Sequence, residues 1–106
     1  MPLSTILLKF WAEMVVEAYK QIQINRNEFF RIFSKEVLTE ELVWHRDRAN
    51  RYVTVVSGKG WLLQMEDSLP IELEEGYTYE IPAYAYHRIK RGTTDLKVHI
   101  LESTDD

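Results

Sequence analysis

The stretch ELVWHRD, residues 41–47, carries the pattern from which the rest of the sequence can be interpreted. Its residues 41–46 alternate in the way that predicts a β-strand, in which successive side chains point to opposite faces. His45 and Asp47 then share one face, with Cα atoms about 6.6 Å apart at a rise of about 3.3 Å per residue. One strand therefore offers two ligands to a metal ion. A third must come from another strand, where His87 is the candidate.

Five further segments have the short length and the aromatic or β-branched content of strands. They are residues 28–33, 51–56, 61–65, 77–81 and 96–101. The sequence SGKG at 57–60 predicts a tight hairpin between the second and third of these segments. Short strands at close spacing with glycine-containing turns indicate an all-β antiparallel sandwich or barrel.

The N-terminal part has a different period. Apolar residues recur at helical spacing from Leu3 to Ala18, which predicts an amphipathic helix over residues 4–21. We therefore divide the chain into an accessory helical segment, residues 1–24, and a β domain, residues 25–106. We expect the broad apolar face of the helix to dock on the domain's own body or on a twin subunit, so the sequence predicts a homodimer.

Composition limits the classes of function. With 106 residues the chain is long enough for one domain and one core. It has no cysteine, which excludes disulfides and thiolate metal sites and fits a reducing compartment, taken here as the cytoplasm. A net charge of -4 disfavours a nucleic-acid partner. The apolar run that begins at Leu3 is too short and too charged to span a membrane, so no membrane partner is expected either.

The sequence resembles the cupins, a family of small β-barrels with two sequence motifs. In the first motif a His-x-His pair is followed by a glutamate and later a glycine. In this sequence His45 and Asp47 occupy the pair, Arg51 stands where the glutamate would be, and Gly58 falls on the glycine.

The second cupin motif is matched by Gly76, Pro82 and His87, while Tyr84 replaces its inner glycine. The resemblance covers residues 28–102. It implies a single jelly-roll-like antiparallel β-barrel, with the N-terminal helix outside it.

The resemblance also implies that the motif residues converge on one divalent metal inside the barrel. Carried over residue by residue, the ligands are His45, Asp47 and His87. Arg51 cannot replace the glutamate as a ligand, because a guanidinium has no free lone pair. Two histidines and one carboxylate leave coordination positions open and suit Zn, Fe, Ni or Mn. The implied function is a small metal-dependent enzyme that acts on a small anionic or polar molecule, with Arg51 clamping the anionic group.

Alternatives remain open from the residues alone. Arg51 can pair with Asp47 in a metal-free polar pocket, which makes the protein a binding module for a sugar or another small molecule, or a structural dimeric domain. Three further residues are candidates for ligand binding. Gln64 would reach a ligand if it faced inward, Tyr79 offers a ring for stacking, and Tyr84 lies in an apolar loop that could gate the barrel mouth.

Overall fold

The computed structural model of this protein describes residues 18–103, and nearly all of their regular structure is β-strand. Eight strands follow one another, with a short 3₁₀ helix, Thr39–Glu41, between the second and the third. The strands are β1 (Tyr19–Asn25), β2 (Glu28–Phe33), β3 (Asn50–Ser57), β4 (Leu62–Met65), β5 (Ile71–Glu72), β6 (Thr78–Ile81), β7 (His87–Lys90) and β8 (Leu96–Ser103). The all-β class expected from the sequence is confirmed.

The strands form two antiparallel sheets. The larger sheet has the order β1-β2-β8-β3-β6, and the smaller has the order β5-β4-β7. Within residues 18–103 no strand pairing joins one sheet to the other. The expectation of a closed barrel is therefore wrong for this part of the chain, which is a sandwich of two sheets.

The chain crosses between the sheets in irregular segments, and this explains the missing closure. Residues 57–60 do not form the predicted hairpin, because β3 and β4 belong to different sheets and do not pair. Gly60 adopts a φ of 79°, a left-handed conformation that glycine tolerates best. At the crossing from β7 to β8, a Cβ on Gly92 would lie 2.1 Å from the carbonyl oxygen of Lys59, so only glycine fits there.

The core lies between the two sheets. Val55 of β3, Leu96 of β8 and Trp61, just before β4, are its most completely buried side chains. Trp61 also donates a hydrogen bond from its indole nitrogen to the carbonyl of Thr94 at 2.7 Å, so its one polar atom is satisfied. Further core residues are Phe29, Phe33, Val37, Leu63, Leu73, Ile81, Val98 and Ile100. This cluster joins both sheets into one body.

Two predicted elements differ from the structure. Residues 41–46 do not form a strand: the 3₁₀ helix ends at Glu41, and only His45 makes a bridge to another strand. The predicted helix over residues 4–21 is wrong at its end, because β1 begins at Tyr19 and pairs with β2. The rest of that helix lies outside the described residues. Pairing with β2 instead gives residues 19–25 a strand partner for their backbone hydrogen bonds.

Candidate metal centre

An extended segment around His45 is fixed against the start of β7. The backbones of His45 and His87 exchange two N–H to O hydrogen bonds, of 3.0 and 2.9 Å. Two residues later the carbonyl of Asp47 accepts a hydrogen bond of 2.7 Å from the N–H of Tyr84. Because the backbone is extended, alternate side chains still point the same way. His45 and Asp47 therefore both face the interior, although the strand predicted there is absent.

The intervening side chains are held on the opposite face by cation–π contacts. The guanidinium carbon of Arg88 lies 4.6 Å from the centre of the Trp44 ring, and that of Arg46 lies 4.4 Å from the Tyr86 ring. Such contacts stabilise an exposed segment by roughly 0.5–1 kcal/mol each.

Three side chains converge at this point. His45, Asp47 and His87 each place one ligand atom within 4.8 Å of the other two. Oδ2 of Asp47 lies 3.3 Å from Nε2 of His87 and 3.9 Å from Nε2 of His45. His87 is buried, whereas the side chain of His45 is 45% exposed. The cluster therefore reaches from the core to the surface.

Each imidazole is anchored through its other nitrogen. Nδ1 of His45 lies 2.9 Å from the carbonyl oxygen of Val43, and Nδ1 of His87 lies 2.8 Å from that of Ala85. A carbonyl oxygen can only accept, so we assign the ring proton to Nδ1 in both histidines. In the neutral form each ring then presents the lone pair of Nε2 toward Asp47, and in the protonated form it presents an N–H there. Hydrogen bonds of this kind orient the histidines of metal sites.

The carboxylate of Asp47 is the least satisfied group of the cluster. Its Oδ2 is buried and accepts no hydrogen bond from the described residues. Nη1 of Arg51 lies 3.2 Å from it as an ion-pair contact, and Nε2 of His87 lies 3.3 Å from it. Burial raises the pKa of Asp47, but His87, Arg51 and His45 outweigh it and hold the pKa below its usual value. Asp47 is therefore ionised at neutral pH.

This donor set fits a divalent transition metal. Two Nε2 lone pairs and one carboxylate oxygen face one another, and all three are electron-pair donors. Arg51 is not available as a fourth donor, and its Nε donates a hydrogen bond of 2.9 Å to Oε2 of Glu102. A site with three protein ligands keeps positions open for a water molecule or another ligand.

The triad forms part of the wall of a cavity of about 280 Å³ between the sheets. This volume is close to the lower end of the range for small-molecule pockets. Charged residues on the wall, besides the triad, are Arg31, Glu41 and Arg51. Most of the remaining wall is apolar and consists of Phe33, Val53, Leu63, Leu73, Ile81, Ile89, Leu96, Val98 and Ile100.

Solved structures with this arrangement of strands include cupins. An RmlC-like cupin family protein with a double-stranded β-helix fold, from Methanocaldococcus jannaschii, has a TM-score of 0.63 and 13% identity over 80% of this chain and 77% of its own. DMSP lyase DddQ from Ruegeria pomeroyi has a TM-score of 0.70 and 12% identity over 85% of this chain and 49% of its own. A further DMSP lyase structure has a TM-score of 0.63 and 23% identity over 74% and 40%. This chain has the cupin fold.

The likeness extends to the cupin fold and no further. At 12–23% identity these structures are distant in sequence, and this chain spans less than half the length of the two DMSP lyases. The sequence matches no protein-family model and no curated protein. Among residues 18–103, no helix has the length and apolar character needed to cross a membrane.

Three of the predicted ligand-binding residues lie outside the cavity of this cupin fold. Gln64 accepts a hydrogen bond of 2.9 Å from Nε of Arg88 and points away from the core. The hydroxyl of Tyr79 accepts a hydrogen bond of 2.9 Å from the N–H of Glu74. The side chain of Tyr84 is 61% exposed. Of the four candidates, the structure brings only Arg51 together with the triad.

Two charged residues near the triad were missed by the sequence reasoning. Arg31 lines the cavity from β2, and Glu102 pairs with Arg51 from the end of β8. A signal for Arg31 was present, because alternation in the predicted strand 28–33 places it on the same face as Phe29 and Phe33. Glu102 had no such signal, since it follows the predicted end of its strand.

Proposed function

We propose that this cupin domain binds one divalent transition metal through Nε2 of His45, Nε2 of His87 and the carboxylate of Asp47. When bound, the metal supplies a Lewis acid beside the cavity, where a small polar or anionic molecule binds. The three residues hold and orient the ion, and the apolar wall excludes water from the ligand. His87 and then Arg51 favour the ionised form of Asp47, since their contacts lower its pKa.

One observation carries this proposal. Both histidines direct Nε2 at Oδ2 of Asp47, while their Nδ1 atoms are occupied by backbone carbonyls, and that oxygen accepts no hydrogen bond from residues 18–103. A cation bound between the three atoms would give this oxygen and both Nε2 lone pairs a common partner.

A metal-free polar pocket is the second candidate. It is favoured by the position of Arg51, whose guanidinium lies between Asp47 at 3.2 Å and Glu102 at 2.9 Å. In that case the cavity binds a small molecule without catalysing a reaction. The two candidates make opposite predictions about metal content.

Elemental analysis of protein purified without a histidine tag tests the proposal. We expect about one Zn, Fe, Ni or Mn ion per chain in the wild type. His87→Gln and Asp47→Asn should lose the ion. His99→Gln is the matched control, because His99 is the remaining histidine of the sequence and bonds to Glu28 at 2.6 Å.

Co(II) titration extends the test to protein that loses its metal during purification. Bound Co(II) should give visible absorption bands in the wild type and in His99→Gln, and none in His87→Gln. Wild-type protein that is metal-free and does not take up Co(II) or Zn(II) would favour the metal-free pocket.

Assembly as a homodimer in the cytoplasm is also proposed. Within the described residues, β1 is one of the two edge strands of the larger sheet, and its Ile22 and Ile24 are each about half exposed, at 52% and 49%. An exposed strand with apolar side chains is a surface that pairs readily with another chain. Light scattering at micromolar concentration should give twice the monomer mass, and a monomer mass would contradict the proposal.

A further inference from the structure

Arg31 is a charged residue on the core face of β2. Its neighbours on that face, Phe29 and Phe33, are only 3% and 9% exposed. The register of β2 places Arg31 opposite Val98 of β8, which is also buried. A cation in such a position is costly unless it is paired.

The guanidinium of Arg31 has few partners of its own. Its Nε donates a hydrogen bond of 2.9 Å to Oε1 of Gln21, and its Cζ lies 4.0 Å from the centre of the Tyr19 ring. Within residues 18–103, no carboxylate lies within 4.0 Å of it and its two terminal nitrogens make no hydrogen bond. These nitrogens form a planar pair of donors beside the cavity.

Arg51, in the same region, is an arginine that is paired with carboxylates. It contacts two carboxylates, Asp47 and Glu102, at 3.2 and 2.9 Å. Burial lowers the pKa of Arg31, and the positive charge of Arg51 lowers it further. The surroundings of Arg31 therefore disfavour its positive charge, and a bound anion would stabilise that charge.

The rest of the cavity limits what that anion can be. Ionised groups on the wall are the cations Arg31 and Arg51 and the anions Glu41 and Asp47, which balance one another, and a bound divalent metal would make the wall positive. Beyond them the wall is apolar, and the volume of about 280 Å³ admits only a small molecule. The ligand that suits this wall has one negative group and a short apolar part.

We propose that the cavity binds a small monocarboxylate, whose carboxylate pairs with the terminal nitrogens of Arg31 and whose aliphatic part packs against the apolar wall. This inference deepens the proposed function, since it rests on the same cavity as the ligand site. The contact between carboxylate and guanidinium is separate from the triad. It can be tested with and without metal.

Calorimetric titration with butanoate, in carboxylate-free buffer, tests the inference. The neutral analogue butanamide and the cation butylammonium have nearly the same size and serve as comparisons. Each is titrated into protein freed of metal by a neutral chelator and into protein reloaded with Zn(II). Butanoate should bind to both forms, and butanamide and butylammonium should bind at least about tenfold more weakly, because a charge-assisted bidentate contact is lost.

The matched variants are Arg31→Gln and Arg88→Gln. Arg88 has the same surroundings as Arg31, with Nε bonded to a glutamine at 2.9 Å and Cζ 4.6 Å from an aromatic ring, but it does not line the cavity. Arg31→Gln should weaken butanoate binding about tenfold to a hundredfold, whereas Arg88→Gln should change it less than about twofold. Arg31→Lys keeps the charge without the planar fork and should restore part of the binding.

The outcomes separate this inference from the metal proposal. Failure of the wild type to bind Zn(II), together with butanoate binding that depends on Arg31, would overturn the metal site and support the anion site. Zn(II) binding without butanoate binding, or equal binding of butanoate and butanamide, would overturn the anion site. The wild-type comparison of butanoate with butanamide decides the question even if Arg31→Gln does not fold.

Discussion

Histidine side chains lie beside carboxylates at two places in the described part of the chain. The two places differ in whether the carboxylate oxygen accepts a hydrogen bond. On the outer face of the larger sheet, Nε2 of His99 lies 2.6 Å from Oε2 of Glu28, with both side chains partly exposed. Inside, two histidines face one carboxylate oxygen that accepts no hydrogen bond from the described residues. The outer pair is complete by itself. In the inner cluster, the oxygen lies beside Nη1 of Arg51 and the two imidazoles without a hydrogen bond from residues 18–103.

This difference distinguishes the structural contact between His99 and Glu28 from the candidate metal site. The His99 ring also packs edge-on against Phe30, with centroids 5.2 Å apart, so the outer pair joins two neighbouring strands. The inner cluster connects His87 of β7 and Arg51 of β3 through Asp47. Its side chains point at a common centre beside a cavity. Perturbing the two places should therefore change different properties of the protein.

The largest difference should appear in the response to metal. Zn(II) at about one hundred times its dissociation constant should add about 2.7 kcal/mol to the free energy of unfolding of the wild type. For a small domain this corresponds to an increase in Tm of roughly 10–20 °C. His99→Gln should show the same increase, because its triad is intact. A thermal denaturation series with and without Zn(II) measures both proteins.

His45→Gln and His87→Gln should show almost no increase in Tm with Zn(II). An unchanged increase in either variant would remove that histidine from the ligand set. An increase lost in His99→Gln would show that the outer pair, rather than the inner cluster, responds to the metal.

The sequence predicted the inner cluster better than it predicted the strands around it. Alternation placed His45 and Asp47 on one face, and this held because the segment is extended even without a full ladder of hydrogen bonds. The cupin resemblance supplied His87 as the partner, and the structure brings all three together. Local periodicity and a motif were sufficient because each ligand follows from its own short segment.

Features that depend on pairing between distant segments could not be predicted from local sequence patterns. The apolar spacing before residue 22 suggested a helix, but β2 offers residues 19–25 a strand partner. The 57–60 turn looked like a hairpin, although its flanking strands lie in different sheets. The environments of the Asp47 oxygen and of the terminal nitrogens of Arg31, which have no hydrogen bond within residues 18–103, depend on tertiary structure, so no local pattern predicts them.

A smaller effect is expected from the charge of Asp47 in metal-free protein. Its folded pKa lies below the ordinary value of 3.8, so its charge stabilises the fold above that pH, and this contribution is lost as the pH falls through the folded pKa. Asp47→Asn should lower the free energy of unfolding at pH 7 by about 1 kcal/mol or less, because solvent screens part of the interaction.

Urea denaturation of chelator-treated protein at pH 7 and pH 3 measures this effect. The two proteins should differ less at pH 3, which lies below the ordinary pKa of 3.8, because the contribution of the charge is lost as the pH falls from that value through the folded pKa. A variant that is less stable by the same amount at both pH values would indicate a packing effect instead of a charge effect.

The smallest effect should come from the outer pair. The hydrogen bond with His99 is the main cause that lowers the pKa of Glu28, and the bond from Asn25 adds to it. A lowered carboxylate pKa stabilises the fold above the unfolded value of 4.5 and ceases to do so as the pH falls through the folded value. Glu28→Gln should therefore be slightly less stable than the wild type at pH 7 and should approach it near pH 3. Because Glu28 is exposed to solvent, this loss should be smaller than that of Asp47→Asn. Zn(II) binding, measured on the same sample, should be unchanged, and a weaker affinity in Glu28→Gln would show that the two places are coupled through β8.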